Sequence, residues 1–242
     1  MDRLIYLSMA GAKASMQRQE VLTHNLANAS TTGFRAEMAA IRAVPIRGDG
    51  ASTRVHALET TVGYNGQGGP VSPTGNPLDV AMQGNAWLAV QGLDGTEAYT
   101  RNGALQVNAE GLLVTGSGLP VNGDGGPITV PANATIEIAT DGTINAREGN
   151  AAPQAIGRLK LVTPEAPLTR GADGLFRAAD GELAADPAAR LNSGALEGSN
   201  VNAVEAMVAM IAASRQFEQQ MKALQGAEQR EQAASKLLGP IS

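Results

Sequence analysis

The residue types that could perform chemistry are few and scattered in this sequence. His24 and His56 are the only histidines among 242 residues, and neither has a second histidine or a carboxylate at the spacing of a metal site. Cysteine is absent, which excludes disulfides and thiolate ligands. No Gly-x-Ser-x-Gly motif marks a nucleophilic serine. We therefore expect no catalytic residue, no cofactor and no metal.

Carboxylates are numerous, but their arrangement does not indicate a catalytic pair. Asp141 and Glu148 can be nominated for sugar hydrolysis, with Trp87 lining a sugar subsite. Nothing in the sequence places the two carboxylates in one apolar cleft. A peptidoglycan-degrading enzyme therefore stays as the alternative from another functional class, beside a soluble binding module or adhesin with a helical stalk.

Acidic or amide residues followed by glycine recur along the middle of the chain. They lack the alternating acidic spacing and the later glutamate of a calcium loop. They are typical of tight turns that accept positive φ. The pairs are Asp94-Gly95, Asn102-Gly103, Glu110-Gly111, Asp141-Gly142, Asp173-Gly174 and Asp180-Gly181.

Charge and hydropathy exclude two classes of partner. The formal net charge is -5, and no basic stripe could follow a phosphate backbone, so we expect no nucleic-acid binding. No run near 18 consecutive apolar residues occurs, so we expect no membrane insertion. The first residues contain no uninterrupted apolar core of a cleavable secretory signal.

Elements that could position functional residues divide the chain into ends and middle. Of the 29 glycines, 26 lie between Gly33 and Gly198, and 11 of the 12 prolines lie between Pro45 and Pro187. The flanking segments 3–28 and 203–238 are nearly free of helix breakers and predict two long helices.

The first helix has apolar side chains on two faces. A helix of about 26 residues is about 39 Å long, so it needs a partner of similar length. Two apolar faces indicate neighbours on two sides. The larger apolar residues are Leu4, Leu7, Val21 and Leu22 on one face and Ile5, Met9 and Met16 on the other, with Leu26 near the end.

The second helix has clear start and stop signals. Asn202 with Glu205 three residues later resembles a capping box, and Gly239 with Pro240 forms a stop. Its apolar stripe drifts around the axis, which is typical of a helix surrounded on several sides. The stripe contains Val204, Met207, Val208, Ile211, Phe217, Met221 and Leu224.

Short strands separated by turns fill the middle. Segments 38–44 and 53–62 predict a hairpin within an extended arm, residues 37–76. Strands are then predicted at 78–82, 86–91, 97–101, 104–107, 112–115, 128–130, 136–139, 143–146 and 156–163.

The predicted fold class is α+β. Residues 1–36 and 200–242 are expected to pair as an α-helical coiled-coil domain, and residues 77–199 to form an antiparallel β domain. Two helices alone cannot enclose a core. An ordinary helical bundle is the other interpretation of the pattern, but it lacks a third strong helix, which other copies of the chain could supply.

Two motifs at the chain ends carry a family resemblance. The segment 25–35 reads NLANASTTGFR and closely resembles the N-terminal motif of bacterial flagellar rod and hook proteins. The segment 196–207 reads LEGSNVNAVEAM and resembles the C-terminal motif of that family. Segments 77–82, 99–103, 118–123 and 173–176 are similar to internal segments of the same proteins. Within the family, the length and the opening MDRLIY are most similar to a proximal rod protein.

The resemblance implies a structural subunit of the flagellar basal-body rod, the drive shaft used in motility. It implies export by the flagellar type III apparatus, assembly in the periplasm, and self-association together with other rod and hook-family subunits. The family's terminal helices form an inner coiled-coil tube around which the β domains lie. An isolated subunit is expected to have a folded middle and poorly ordered ends. A distal rod or hook subunit is the alternative within the family.

Individual residues acquire expected roles from the same resemblance. Asn25, Asn28, Gly33 and Phe34 would shape the exit from the first helix, and Asn200 with Asn202 would start the second. The apolar residues of both helices given above would form the assembly interface.

Overall fold

The computed structural model describes residues 2–45, 55–149 and 151–237, and within them two long helices flank a set of short strands. Helix α1 spans Asp2–Ala27 and helix α2 spans Ala203–Leu237. The strands are β1 Glu37–Pro45, β2 Val55–Tyr64, β3 Val71–Pro73, β4 Val80–Met82, β5 Trp87–Gln91, β6 Glu97–Thr100, β7 Leu105–Val107, β8 Leu113–Thr115, β9 Asn122–Gly123, β10 Gly126–Pro127, β11 Ala134–Ile138, β12 Thr143–Glu148, β13 Gln154–Arg158, β14 Leu161–Val162, β15 Thr169–Arg170, β16 Phe176–Arg177, β17 Leu191–Ser193 and β18 Ala195–Glu197.

The chain forms two compact units. The helical unit contains residues 1–27, 37–63 and 201–242, and the β unit contains residues 28–36 and 64–200. The predicted α+β class is therefore confirmed. Of the predicted arm, residues 37–63 lie in the helical unit and residues 64–76 in the β unit. Strands β1 and β2 pair with each other, as the predicted hairpin requires.

In the helical unit α1 and α2 pack against each other. They run antiparallel, because Thr23 Oγ1 lies 3.7 Å from Met210 Sδ, and a Cβ added to Gly11 would lie 3.0 Å from the side chain of Gln220. The Asn202 side chain caps α2 by accepting hydrogen bonds from the N–H groups of Val204 and Glu205. None of the helices in the described ranges combines the length and hydropathy needed to span a membrane.

Burial on the two helices follows side-chain size in an unusual way. Among the side chains of α2 that are described, the buried ones are Ala206, Ala213 and Ala227, whose spacing in multiples of seven keeps them on one side of the helix. Among residues 8–27 of α1, the buried ones are Ser8, Ala12, Ser15 and Asn25. The large apolar side chains with high exposure are Met9, Met16, Val204, Met207, Val208 and Ile211.

The β unit is built on an antiparallel five-stranded sheet of order β14-β5-β6-β16-β15 and a three-stranded sheet of order β11-β12-β13. Strand β5 alternates between two cores. Leu88 and Val90 point into an aliphatic core, whereas Trp87 and Ala89 join a smaller core with Tyr99 and Phe176. The sheet is therefore buried on both faces at β5.

Two predicted strands differ from the structure. Residues 128–130 form only an isolated bridge between Leu112 and Thr129. The predicted strand 156–163 is divided into β13 and β14, which belong to different sheets. The division arises because Lys160 turns to donate its N–H to the carbonyl of Asn122.

Gly103 shows a turn prediction that was wrong. Its φ is not in the left-handed region, whereas the glycines of the other five predicted turns have positive φ. A Cβ at position 103 would instead collide with the backbone carbonyl of Val80, and the Gly103 carbonyl accepts the Val80 N–H at 3.0 Å. Glycine is needed here because two backbones approach closely.

We expect Gly103→Ala to destabilise the β unit by roughly 1–3 kcal/mol, since the added methyl group forces the two backbones apart. Gly125→Ala is the matched control, because Gly125 has open space around it and no positive φ. Its effect should stay within about 0.5 kcal/mol. Urea unfolding followed by fluorescence of Trp87, the only tryptophan, measures both. Equal stability of the two variants would contradict the close-approach explanation.

Candidate functional site: the junction in the β unit and the exposed helical faces

A buried carboxylate held by two guanidinium groups lies in the β unit. Arg35 Nη1 lies 2.5 Å from Glu197 Oε1, and Arg101 Nη2 lies 2.5 Å from Glu197 Oε2. The three side chains are at most 4% exposed. Because water cannot solvate these charges, the ion pairs and hydrogen bonds must do so. Arg101 also donates to the backbone carbonyls of Met82, Gly84 and Ala86.

Burial lowers the pKa of Arg101 from its ordinary value, and the Glu197 carboxylate opposes that shift. Arg35 lies close enough to contribute to the lowering by like-charge repulsion. The carboxylate of Glu197 is therefore the counter-ion that allows both arginines to remain charged inside the protein.

Stacked arginine and aromatic side chains extend from this ion pair. Arg170 Cζ lies 4.5 Å from the Phe34 ring centroid and 4.8 Å from that of Phe176. The Phe176 centroid lies 4.7 Å from that of Trp87, over which Arg101 Cζ lies at 5.9 Å.

Arg170 closes this set of contacts into a ring by donating from Nη2 to the backbone carbonyl of Arg35 at 2.9 Å. The ring joins the segment that follows α1 to the segment that precedes α2. We call it the junction cluster; its members are Phe34, Arg35, Trp87, Arg101, Arg170, Phe176 and Glu197.

Gly33 occupies a position that excludes any other residue. Its φ is +69°, and a Cβ would collide with the backbone of Arg101. The Gly33 N–H donates to the carbonyl of Glu197 at 2.7 Å. The predicted role of Gly33, a conformation that a side chain would oppose, is confirmed.

Asn200 fastens three backbone segments of the β unit together. Its Oδ1 accepts the N–H of Ala36 at 2.6 Å, and its Nδ2 donates to the carbonyls of Asn65 at 3.0 Å and Gln67 at 2.8 Å. The prediction that Asn200 starts the second helix is wrong, because Asn202 alone of the two caps α2. The Asn200 side chain instead makes its hydrogen bonds to Ala36, Asn65 and Gln67.

Asn25 makes a comparable contact within the helical unit. Its side-chain amide bonds both backbone groups of Glu37: Oδ1 accepts the N–H at 2.7 Å and Nδ2 donates to the carbonyl at 2.9 Å. His24 Nδ1 lies 2.8 Å from Glu37 Oε2. After α1 ends, Asn28 Oδ1 accepts a hydrogen bond from the Thr31 hydroxyl in the β unit. The Asn25 side chain thus holds the backbone of Glu37, whereas the Asn28 side chain contacts the side chain of Thr31.

The residues expected at an assembly interface have three different environments. Leu4, Ile5 and Leu7 lie outside the residues whose side chains are described. Val21, Leu22, Leu26, Phe217, Met221 and Leu224 are half-buried, and Asn25, Gly33 and Phe34 are buried within the chain. Those that are free for contact are Met9, Met16, Val204, Met207 and Ile211.

Sequence reasoning did not identify Arg101, Arg170 and Glu197 as site residues. Arg101 and Glu197 lie within segments that resemble the rod and hook family, yet their charges were not connected. One signal was available in the sequence: the N-terminal motif contains a positive charge at Arg35, and the C-terminal motif contains a negative charge at Glu197.

A polar cavity of about 520 Å³ lies elsewhere in the β unit, beside Glu97 and Lys160. Lys160 Nζ donates to both carboxylate oxygens of Glu97 at 2.8 Å, and the Tyr99 hydroxyl donates to Oε1 at 2.8 Å. The Glu97 carboxylate is therefore fully engaged, and Asp124 and Glu182 also line the cavity. Across the described ranges no three His, Cys, Asp or Glu side chains cluster as metal ligands would.

Comparisons with known proteins agree along the chain. The family profile described as "Flagella basal body rod protein" matches residues 5–35. That of the "Flagellar hook protein FlgE/F/G D1 domain" matches residues 81–146. That of the "Flagellar basal body rod FlgEFG protein C-terminal" matches residues 192–237. The three matches cover both helices and the first part of the β unit.

Whole proteins are similar as well. The chain is 48% identical to the flagellar basal-body rod protein FlgF of Salmonella typhimurium, over 98% of this chain and 99% of that protein. The FlgF protein of Escherichia coli gives the same identity and coverage. The flagellar basal-body rod protein FlgG of Agrobacterium fabrum is 32% identical, over 98% of this chain and 99% of its own length.

We expect Glu197→Gln to destabilise the β unit by about 3–5 kcal/mol, because it leaves Arg35 and Arg101 buried without a counter-ion. Asp94→Asn is the control: it removes the ion pair with Arg177 at 3.1 Å, where the aspartate side chain is 52% exposed. The control should cost much less, because solvent screens an exposed ion pair. Urea unfolding followed by Trp87 fluorescence compares the two, and similar losses would show that the junction charge is not special.

A second prediction concerns alkaline pH. Burial raises the pKa of the Tyr99 hydroxyl above its ordinary value, the Glu97 carboxylate adds to the shift, and the hydrogen bond from the Leu183 N–H opposes it. A raised pKa means that the stabilisation is complete below the unfolded pKa, about 10, and is lost as pH rises above it.

The stability advantage of the wild type over Tyr99→Phe should therefore shrink as the pH rises above about 10. Phenylalanine cannot ionise, and both proteins contain the same other titrating groups. The difference between their stabilities therefore reports the ionisation of Tyr99 alone. Urea unfolding at each pH measures the difference. A difference that stays constant with pH would contradict the prediction.

Proposed function

This chain belongs to the flagellar basal-body rod protein family, and we propose that it is a FlgF-like subunit of the proximal rod that polymerises through its terminal helices. The family predicted from the two terminal motifs is confirmed by identity to FlgF proteins over nearly the whole chain. The chain is thus a structural protein of the flagellar basal body. Its assembly partners are other subunits of the rod and hook families.

The observation that carries the assembly mechanism is the distribution of side-chain size on α1 and α2. Among the described side chains of the two helices, the buried positions hold alanine, serine and one asparagine, whereas six large apolar residues are exposed: Met9, Met16, Val204, Met207, Val208 and Ile211. A helix pair that is stable without other subunits would be expected to bury its large apolar residues, because the free energy gained scales with the apolar area removed from water. We therefore infer that the exposed apolar residues of α1 and α2 contact helices of other subunits.

The first three turns of α2 carry the clearest unsatisfied face. Val204, Met207, Val208 and Ile211 are 68%, 44%, 63% and 54% exposed. Their spacing of i, i+3, i+4 and i+7 places them on one stripe. Burying the exposed part of each side chain would contribute roughly 1 kcal/mol or more. We propose that this stripe packs against helices of neighbouring subunits.

In the assembled rod the predicted parts then have distinct roles. Residues 1–36 and 200–242 form an inner layer in which α1 and α2 of several subunits pair as coiled coils. Residues 37–76 form the connecting arm, and residues 77–199 the β domain. Because close-packed side chains resist shear, such a layer can transmit torque. The subunit reaches the periplasmic rod through the flagellar export apparatus.

Two other functions receive less support. A distal rod or hook subunit would share the same three family profiles, but the identity to two FlgF proteins is 48% against 32% for the FlgG relative from Agrobacterium. A peptidoglycan-degrading enzyme receives no support from the relatives, which are named as flagellar basal-body rod proteins. We therefore propose a structural subunit without enzymatic activity.

The test is replacement of the chromosomal gene. Deletion should stop flagellar assembly at the rod, as seen by electron microscopy of isolated basal bodies. Ile211→Glu should reproduce the deletion, because a charge cannot be buried unpaired in an apolar helix interface. Gln219→Glu makes a similar charge change at an exposed polar position of the same helix and should leave swimming intact.

Trp87 fluorescence checks the folding of the β unit in the variants. Their unfolding curves in urea should match that of the wild type. Flagellated, motile cells carrying Ile211→Glu would refute assembly through the α2 stripe. Flagellated cells without the gene would refute the proposed function as a whole.

A further inference from the structure

Methionine is concentrated among the exposed residues of the helical faces. Met9 and Met16 on α1 are 53% and 54% exposed, and Met207 on α2 is 44% exposed. Met9 and Met16 are seven residues apart, so they share one face of α1. Met82, by contrast, lies in the aliphatic core of the β unit at 3% exposure.

We propose that Met9, Met16 and Met207 are an oxidation-sensitive set: a hydroperoxide converts their thioethers to sulfoxides in the free subunit, and the oxidised subunit does not enter the polymer. The inference rests on the proposed function, because it requires that these faces become buried in assembly. It adds a modification site and a control on that burial.

Oxidation of a methionine needs no reactant besides the hydroperoxide. The thioether sulfur attacks one peroxide oxygen, the O–O bond breaks, and the sulfur gains that oxygen while losing two electrons. The hydroperoxide is reduced to water or an alcohol. Reduction by a dithiol enzyme returns the thioether, with water and a disulfide as products. The modification is therefore reversible.

Exposure determines which methionines react, since the oxidant must reach the sulfur. The Met9, Met16 and Met207 residues are about half exposed in the single chain, at 53%, 54% and 44%. Met38 on β1 is also exposed, at 52%, so it should react too, although it does not lie on the helices. Met82 should be protected by its burial.

The effect on assembly follows from polarity. Methionine is flexible and polarisable, which suits contacts between helices of different subunits. A sulfoxide places a strong hydrogen-bond acceptor in the same contact, and the side chains beside Met207 on its stripe, Val204, Val208 and Ile211, offer it no donor. We expect each oxidised position to weaken the contact about tenfold, which corresponds to about 1.4 kcal/mol. A polymer repeats the contact in every subunit, so three such losses should abolish it.

The first experiment measures reactivity on the purified full-length subunit. Hydrogen peroxide is added, and oxidation of each methionine is followed by peptide mass spectrometry. Met9, Met16 and Met207 should react at least about tenfold faster than Met82. Equal rates at all four positions would overturn the proposed selectivity.

The second experiment measures assembly with substitutions that need no oxidant. A triple Met→Gln variant imitates the polarity of the sulfoxides, and a triple Met→Leu variant keeps the apolar surface but cannot be oxidised. The genes replace the wild type in the chromosome. Gln should abolish flagella, whereas Leu should preserve them and should protect swimming from sublethal peroxide relative to the wild type.

The outcomes separate this inference from the proposed function. Normal flagella with both triple variants, combined with rod arrest in the deletion strain, would overturn the oxidation proposal alone. The oxidation proposal would also be overturned if peroxide impaired swimming equally in the Leu variant and the wild type, because peroxide would then act on targets other than these three methionines. Normal flagella in the deletion strain would overturn the proposed function first.

Discussion

The buried carboxylate of Glu197 is the interaction on which the junction of the β unit depends. It neutralises part of the charge of Arg35 and Arg101, and its own backbone carbonyl accepts the N–H of Gly33. A buried ion pair contributes little net stability compared with an apolar contact of the same volume, but it discriminates strongly against arrangements in which one partner is missing. The junction is thus specified by charge, and the aromatic stack then fills the space around it.

The helical unit follows the opposite principle. The fully buried positions described on α1 and α2 hold small side chains, chiefly alanine and serine, while several larger apolar residues are half-buried and six are exposed. The exposed apolar residues of α1 and α2 form the surface on which the proposed assembly depends.

The sequence predicted those elements whose signals are local. Both helices begin and end within a residue or two of the predicted positions, because breakers and the Asn202 cap act on neighbouring residues. The junction cluster could not be predicted, since no periodicity indicates that Glu197 meets Arg35 and Arg101. Gly103 illustrates the same limit: an Asn-Gly pair predicts a turn from local preference, while the crowding by Val80 arises only in the tertiary structure. Asn200 was misassigned for that reason too.

The contact between Ala36 and Asn200 joins positions 164 residues apart. Closing so large a loop costs chain entropy before any contact compensates for it, and folds dominated by such separations form slowly. The segment 28–36 comes first from the ribosome, yet its binding site is completed only after residue 200 has been synthesised. A nascent chain of this protein therefore cannot close the junction until synthesis has reached residue 200.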